Sequence, residues 1–163
     1  MPSSSSCQSS DVLDFWRHAG PQRWFARDVA FDREFRERFL EAHFAAARGE
    51  LFDWEGSADG VLALLVLLDQ FPRNAFRGTG HMFATDGLAL AVARRAVAHG
   101  LDREVDTELR AFIYLPYEHA ENIDAQQEGV ELMTHLGGET LRFAIIHRDL
   151  PPDLVRHRHR AQG

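Results

Sequence analysis

The sequence predicts an all-α fold, and three observations support this prediction. Apolar residues recur every three or four positions through most of the chain, as they do on the buried face of an amphipathic helix. No segment shows the sustained two-residue alternation of a half-buried strand. Glycine or proline follows most of the periodic segments, where helices usually end. We therefore expect about seven helices.

Length, charge and cysteine content exclude several classes of protein. The chain has 163 residues, is 45% hydrophobic and carries a net charge of −7, which is the composition of one soluble globular domain. The negative charge argues against nucleic-acid binding, and no apolar run is long enough to cross a membrane. The single cysteine, Cys7, excludes a disulfide framework. We expect one cytoplasmic helical domain over 11–149, between a disordered serine-rich leader (1–10) and a flexible tail (150–163).

The first two predicted helices carry most of the aromatic residues of the N-terminal half. The first covers 11–18 and is closed by Gly20-Pro21. The second begins at a capping aspartate, Asp28, and extends to about residue 48. Its apolar face is predicted to belong to the core rather than to an aromatic ligand site, and it consists of Phe31, Phe35 and Phe39.

The third predicted helix, 58–70, is the expected centre of the fold. Residues 61–68 are apolar on every side, so the other helices should pack against them. Pro72 disfavours helical geometry at Phe71, and we expect the helix to end there. The remaining helices are predicted at 85–100, from about 106 or 107 onward with a break or kink at Pro116, at 124–136 and at 139–148.

Three segments share one layout, in which an apolar run is accompanied by polar residues and a proline. They are LLVLLDQFPRN (64–74), AFIYLPYEHAEN (111–122) and FAIIHRDLPP (143–152). This recurrence suggests antiparallel helix pairs stacked in the manner of a solenoid. We expect the polar ends of the three segments to line one concave face.

Asp69 is the most informative polar residue in these segments. It follows an apolar helix and lies in the last turn, where the helix dipole disfavours a carboxylate. A carboxylate so near the core needs a donor partner, and Arg73 and Arg77 are the nearest candidates. The alternative is a structural role, in which Asp69 and Gln70 fix the loop 71–78 through its backbone donors.

The second polar stretch suggests acid–base chemistry. His119 with Glu118 or Glu121 could exchange a proton near neutral pH. A metal site would also need His147 or Asp149, and no spacing matches a known metal motif, so we predict neither a metal nor another cofactor. The alternative is that these polar residues only hold adjacent helices together.

Three functions are compatible with these residues. The leading hypothesis is a binding module that recognises a small anionic ligand, a peptide or a protein partner through Asp69, Gln70, Arg73, Asn74, Tyr117, His119, Glu121 and Arg148. The alternative is a metal-independent hydrolase-like enzyme, with His119 as general base and Asp69 or Glu121 among the candidate catalytic residues. A third possibility is a structural protein that oligomerises through its aromatic N-terminal helices.

Six motifs occur in a fixed order over residues 11–149: VLDFW (12–16), WFARDVAFD (24–32), LLDQFPRN (67–74), FRGTGHMFATD (76–86), YLPYEHAEN (114–122) and HRD (147–149). In these motifs the chain resembles a bacterial family of helical proteins, number 924 among the domains of unknown function. The resemblance implies an all-helical, tetratricopeptide-like superhelix and no established activity. Members of that family usually continue after the last motif with a helix and a second Phe-Pro-His-Arg-Asn-like motif, where this chain reads Leu150-Pro151-Pro152.

Overall fold

The computed structural model describes residues 6–136, and all regular secondary structure in that range is helical. The predicted all-α class is therefore confirmed, while the predicted helix at 139–148 and the tail lie outside the described residues. Short 3₁₀ helices, Phe52–Gly56, Gly80–Phe83 and Leu101–Glu104, connect several of the α-helices. The α-helices are α1 (Ser9–Trp24), α2 (Val29–Ala47), α3 (Ala58–Leu65), α4 (Phe71–Ala75), α5 (Asp86–Ala98), α6 (Thr107–His119) and α7 (Ile123–Leu136).

Helix α1 is longer than the sequence predicts. It continues through Gly20 and Pro21 with a kink, because Gly20 adopts a φ of 71° that other residues rarely tolerate. The continuation returns Trp24 to the core, where its indole stacks on that of Trp16 at a centroid distance of 5.9 Å. Nε1 of Trp24 also donates a hydrogen bond to the carbonyl oxygen of Trp16 at 2.7 Å. The kink thus folds the end of the helix back onto its middle, at Trp16.

The phenylalanine row of α2 forms part of the core, as predicted. Asp28 caps the helix by accepting a hydrogen bond from the backbone N–H of Phe31 at 3.0 Å. The rings of Phe31, Phe35 and Phe39 are buried, and each lies 5.3 Å from the ring of Phe15 in α1. These contacts pack the phenylalanine row of α2 against α1 at Phe15.

Helix α3 forms the apolar centre of the fold. Residues 61–68 are all buried, and α3 contacts α1, α5 and α6. Its start lies against the first 3₁₀ helix so closely that a side chain at Gly60 would overlap the carbonyl oxygen of Trp54. Ser57 caps α3 by accepting a hydrogen bond from the N–H of Gly60 at 3.0 Å. None of the described helices is long and apolar enough to cross a membrane.

The prediction that the third helix ends at Phe71 is wrong. Helix α3 passes through a π-helical turn, Val66–Gln70, directly into α4, and Phe71 keeps helical φ and ψ angles. In this turn the N–H of Phe71 bonds to the carbonyl oxygen of Val66, five residues back, instead of the oxygen four residues back. The wider turn allows the chain to pass Pro72 without leaving the helical path.

Candidate functional site

The π turn leaves backbone carbonyl groups that the helix itself does not use. The carbonyl oxygen of Leu67 loses the N–H of Phe71 and accepts a hydrogen bond from Nδ1 of His43 at 2.8 Å. The oxygen of Leu68 faces a proline in place of an N–H donor and accepts a hydrogen bond from the hydroxyl group of Thr85 at 2.6 Å. Side chains of two other segments are thereby fixed to the turn.

Asp69 lies within this turn, and its side chain is 1% exposed. Its Oδ1 accepts a hydrogen bond from Nδ1 of His119 at 2.8 Å, and its Oδ2 accepts one from the amide of Gln70 at 2.9 Å. Arg73 lies 3.4 Å from Oδ1 and donates to the Asp69 backbone oxygen at 2.9 Å. The first two polar stretches of the sequence therefore meet at this carboxylate.

Charge compensation keeps this buried carboxylate ionised. Burial by itself would raise the pKa of Asp69, because it disfavours the charged form. The charges of His119 and Arg73, with hydrogen bonds from His119 and Gln70, outweigh burial and hold the pKa of Asp69 below its ordinary value. Asp69 therefore carries its charge at neutral pH and depends on these partners.

Arg73 joins Asp69 to a second carboxylate, that of Asp86 in the first turn of α5. The guanidinium group binds Asp86 with both terminal nitrogens, NH1 to Oδ1 at 2.8 Å and NH2 to Oδ2 at 3.0 Å. The ring of Phe83 lies over the same guanidinium, with its centroid 5.7 Å from Cζ. We call Asp69, Arg73, Asp86 and His119 the ionic cluster.

A pair of histidines lies on the other side of the π turn. The side chain of the first, His43 in α2, is completely buried. Its Nδ1 faces a carbonyl oxygen and must donate, so its Nε2 accepts a hydrogen bond from Nε2 of His81 at 2.9 Å. This contact attaches the second 3₁₀ helix, Gly80–Phe83, to α2.

This pair predicts a loss of stability in mild acid. Burial is the main reason that the pKa of His43 lies below its ordinary value of 6.5, and His81 lowers it further. Below that value the unfolded chain takes up a proton that folded His43 does not, so the free energy of unfolding falls as the pH falls. We expect the Tm of the wild type to drop more between pH 7.5 and 5.5 than that of His43→Leu, as measured by scanning calorimetry. Equal drops in the two proteins would contradict this assignment.

Two predicted residues lie near the ionic cluster but have a different partner. The amide of Asn74 donates to Oδ1 of Asp32 at 2.8 Å, and Nε of Arg77 donates to Oδ2 of the same carboxylate at 2.8 Å. Of the two candidate partners of Asp69, Arg73 therefore makes the contact and Arg77 does not. Asn74 and Arg77 instead attach α4 and the segment after it to α2.

The remaining predicted residues are distributed around the end of α6. Tyr117 is buried, and burial is the main cause that raises its pKa to about 12. Glu118 is buried beneath α7, where a Cβ atom on Gly129 would lie 3.1 Å from its Oε1. Glu121 is exposed, outside the ionic cluster. Arg148 lies outside the described residues.

Several residues around the π turn were not predicted from the sequence, and for one of them, His43, the sequence pattern does indicate burial. His43 lies four residues after Phe39 and so continues the buried row of α2, as the 3.6-residue period requires. Asp86 resembles an ordinary acidic residue in the first turn of a helix, and nothing local distinguishes it. Among the described residues no group of three or more histidine, cysteine or acidic side chains could hold a metal ion.

Comparisons with known proteins agree with the helical fold. The family model described as "Bacterial protein of unknown function (DUF924)" matches residues 12–162. A solved structure of a protein of unknown function from Agrobacterium tumefaciens is 46% identical in sequence, with a TM-score of 0.81 over 91% of this chain and 95% of that one. No match was found among curated proteins.

Proposed function

The chain belongs to the bacterial protein family of unknown function DUF924, and we propose that it is a helical binding module whose ionic cluster recognises a small anionic ligand. An acidic group on a peptide or protein partner offers the same chemistry and is the wider form of the proposal. The family description names no activity, so the support comes from the residues of this chain. A cytoplasmic location and a tetratricopeptide-like superhelix also stay predictions.

The observation that carries the proposal is the bidentate contact of Arg73 with a carboxylate from another helix. A guanidinium fork matches the two oxygens of a carboxylate or phosphate group and binds them with directional, charge-assisted hydrogen bonds. The contacts of Arg73 with Asp69 hold the fork in a fixed orientation. A guanidinium group that is already held in place loses less conformational entropy when it binds an anion.

The free-energy cost of burying the charged side chains of the ionic cluster also supports a functional role. Its members come from the π turn and from α4, α5 and α6, and three of the four side chains are less than a tenth exposed. Buried ion pairs often contribute less stability than apolar side chains of the same size. Clusters of mutually perturbed ionisable groups are correspondingly frequent at binding and catalytic sites.

The hydrogen bond between His119 and Asp69 supports one alternative, a metal-independent hydrolase-like enzyme. A carboxylate on Nδ1 fixes the tautomer of the imidazole, so that Nε2 is the atom that would exchange a proton with a substrate or water. Of the other two candidate orienting carboxylates, Glu121 is exposed and Glu118 is buried beneath α7. The alternative therefore rests on the pair formed by His119 and Asp69.

Anion-dependent thermal unfolding tests the binding proposal. We expect inorganic phosphate or acetate to raise the Tm above its value in sodium chloride of the same ionic strength. A ligand at about 100 times its Kd stabilises a protein by about 2.7 kcal/mol, which corresponds to a Tm increase of roughly 5–10 °C for a chain of this size.

A matched pair of variants separates specific binding from a general salt effect. Arg73→Lys keeps the charge but removes the bidentate fork, whereas Arg27→Lys makes the same change at an exposed residue. We expect the anion-dependent increase to disappear in Arg73→Lys and to persist in Arg27→Lys. Equal increases in all three proteins would refute the proposal. Hydrolysis of p-nitrophenyl acetate that is lost in His119→Gln would favour the enzyme instead.

A further inference from the structure

Asp86 differs from the other members of the ionic cluster in its exposure. Its side chain is 18% exposed, compared with 8% for Arg73 and 1% for Asp69 and His119. It enters the cluster from α5, and Arg73 binds both of its oxygens at 2.8 and 3.0 Å. The carboxylate of Asp86 therefore occupies the position on the fork that is nearest to solvent.

The carboxylate of Asp86 is also held less favourably than that of Asp69. Burial, the largest effect, raises the pKa of Asp86, and the charge of Asp69 raises it further, against the opposing influence of Arg73. The described hydrogen bonds to its side chain come from Arg73 alone, whereas Asp69 also has His119 and Gln70 as donors. If the Asp86 side chain rotated outward, its carboxylate would regain water.

Helix α5 can stay in place during such a rotation. The preceding residue, Thr85, is buried and donates from its hydroxyl group to the carbonyl oxygen of Leu68 at 2.6 Å. This bond fixes the start of α5 independently of Asp86. Only the Asp86 side chain would have to move, by changing from one staggered rotamer to another.

An apolar ring lies beside the fork. The guanidinium group of Arg73 lies over the ring of Phe83, and its Cζ is 5.7 Å from the ring centroid. Phe83 is 44% exposed. Its 3₁₀ helix is attached to the fold by the hydrogen bond between His81 and His43. A molecule with its carboxylate on Arg73 would therefore have a fixed, partly exposed aromatic surface next to it.

We infer that Asp86 occupies the place of a ligand carboxylate, and that the ligand is a small carboxylic acid with an apolar body that displaces Asp86 from Arg73 and packs against Phe83. This inference rests on the proposed function and specifies its ligand. The exchange replaces one carboxylate by another, so the guanidinium keeps its two hydrogen bonds and the charge of the site is unchanged. The released Asp86 side chain becomes solvated in the first turn of α5, where a negative charge is favourable.

Calorimetric titration of the full chain with benzoate, acetate and benzamide tests this inference. Benzoate should bind about tenfold more tightly than acetate because its ring is partly buried on Phe83, and benzamide, which lacks the charge, should not bind. Asp86→Asn removes the internal competitor and should tighten benzoate binding about tenfold or more. Phe83→Ala should reduce benzoate affinity to that of acetate, whereas Phe52→Ala, at an exposed ring elsewhere, should leave it unchanged.

The outcomes separate this inference from the proposed function. An Asp86→Asn variant that binds benzoate no better than the wild type, while the anion effect still depends on Arg73, would overturn the exchange alone. Equal affinities for benzoate and acetate, or no effect of Phe83→Ala, would overturn the apolar part of the ligand. Absence of any Arg73-dependent anion binding would overturn the proposed function and the exchange together. Phe83 is exposed, so its variant should fold even if an Asp86 variant does not.

Discussion

Replacing Asp69 with alanine is expected to lower the free energy of unfolding by about 3–5 kcal/mol, which is roughly 6–20 °C in Tm for a chain of this size. The carboxylate accepts hydrogen bonds from His119, Gln70 and Arg73 in a place without access to solvent. Its removal leaves buried donors and an uncompensated positive charge, each of which costs free energy. Urea unfolding followed by tryptophan fluorescence measures the loss.

An aspartate on the exposed face of α1 provides the control. Asp14→Ala removes the same carboxylate from a solvated position and should change the free energy of unfolding by no more than about 0.5 kcal/mol. A double-mutant cycle with His119→Gln should give a coupling of about 1–3 kcal/mol, because the two residues share a buried hydrogen bond. Comparable effects of Asp69→Ala and Asp14→Ala would show that the ionic cluster does not contribute to stability.

Gly60→Ala is expected to be the second most damaging change, at about 2–3 kcal/mol. The new Cβ would overlap the carbonyl oxygen of Trp54, and it would lie 2.9 Å from Oγ of Ser57, the cap of α3. The obstacle is backbone, so either the first 3₁₀ helix or the start of α3 has to move. This cost exceeds the stabilisation of up to about 1 kcal/mol that alanine normally gives inside a helix. Thermal unfolding measured by circular dichroism gives the net effect.

Gly87 is the matched control for this substitution. It lies in the first turn of α5, it is exposed, and a Cβ atom there would meet nothing within 4 Å. Gly87→Ala should therefore stabilise the protein by about 0.4–1 kcal/mol through the smaller entropy of the unfolded chain. Opposite signs at the two glycines are the expected result, and a stabilising Gly60→Ala would mean that the packing of α3 against Trp54 is looser than described.

Local sequence patterns predicted the helices and the core, because the periodicity of apolar residues is a local property. Residues 61–68 and the row Phe31, Phe35 and Phe39 are buried, as expected. The need of Asp69 for a donor was also predictable, because an isolated carboxylate at the end of an apolar helix cannot be left uncompensated. These predictions required no knowledge of which segments meet.

Local sequence patterns did not predict which side chains would be the partners of Asp69 and Arg73. His119 lies 50 residues from Asp69 in the chain, and Asp86 lies 13 residues from Arg73. The continuation past Phe71 depends on donors from other segments, since Thr85 provides the hydrogen bond that Pro72 cannot. A local rule about proline therefore failed where tertiary contacts satisfied the backbone.

The π turn has a consequence for the spacing of the whole chain. Each residue in a helix turns everything beyond it by about 100° and advances it by about 1.5 Å. A turn closed by a bond five residues back holds one residue more than a turn closed four residues back, so the π turn accommodates an extra position and keeps the apolar faces on either side in phase with each other. Loss of a single residue from Val66–Gln70 would let the segment wind as a regular α-helix and would leave those two faces in phase. The extra position is therefore not needed for the phase of the core. It provides the carbonyl oxygen of Leu67, which the helix does not use and to which His43 donates.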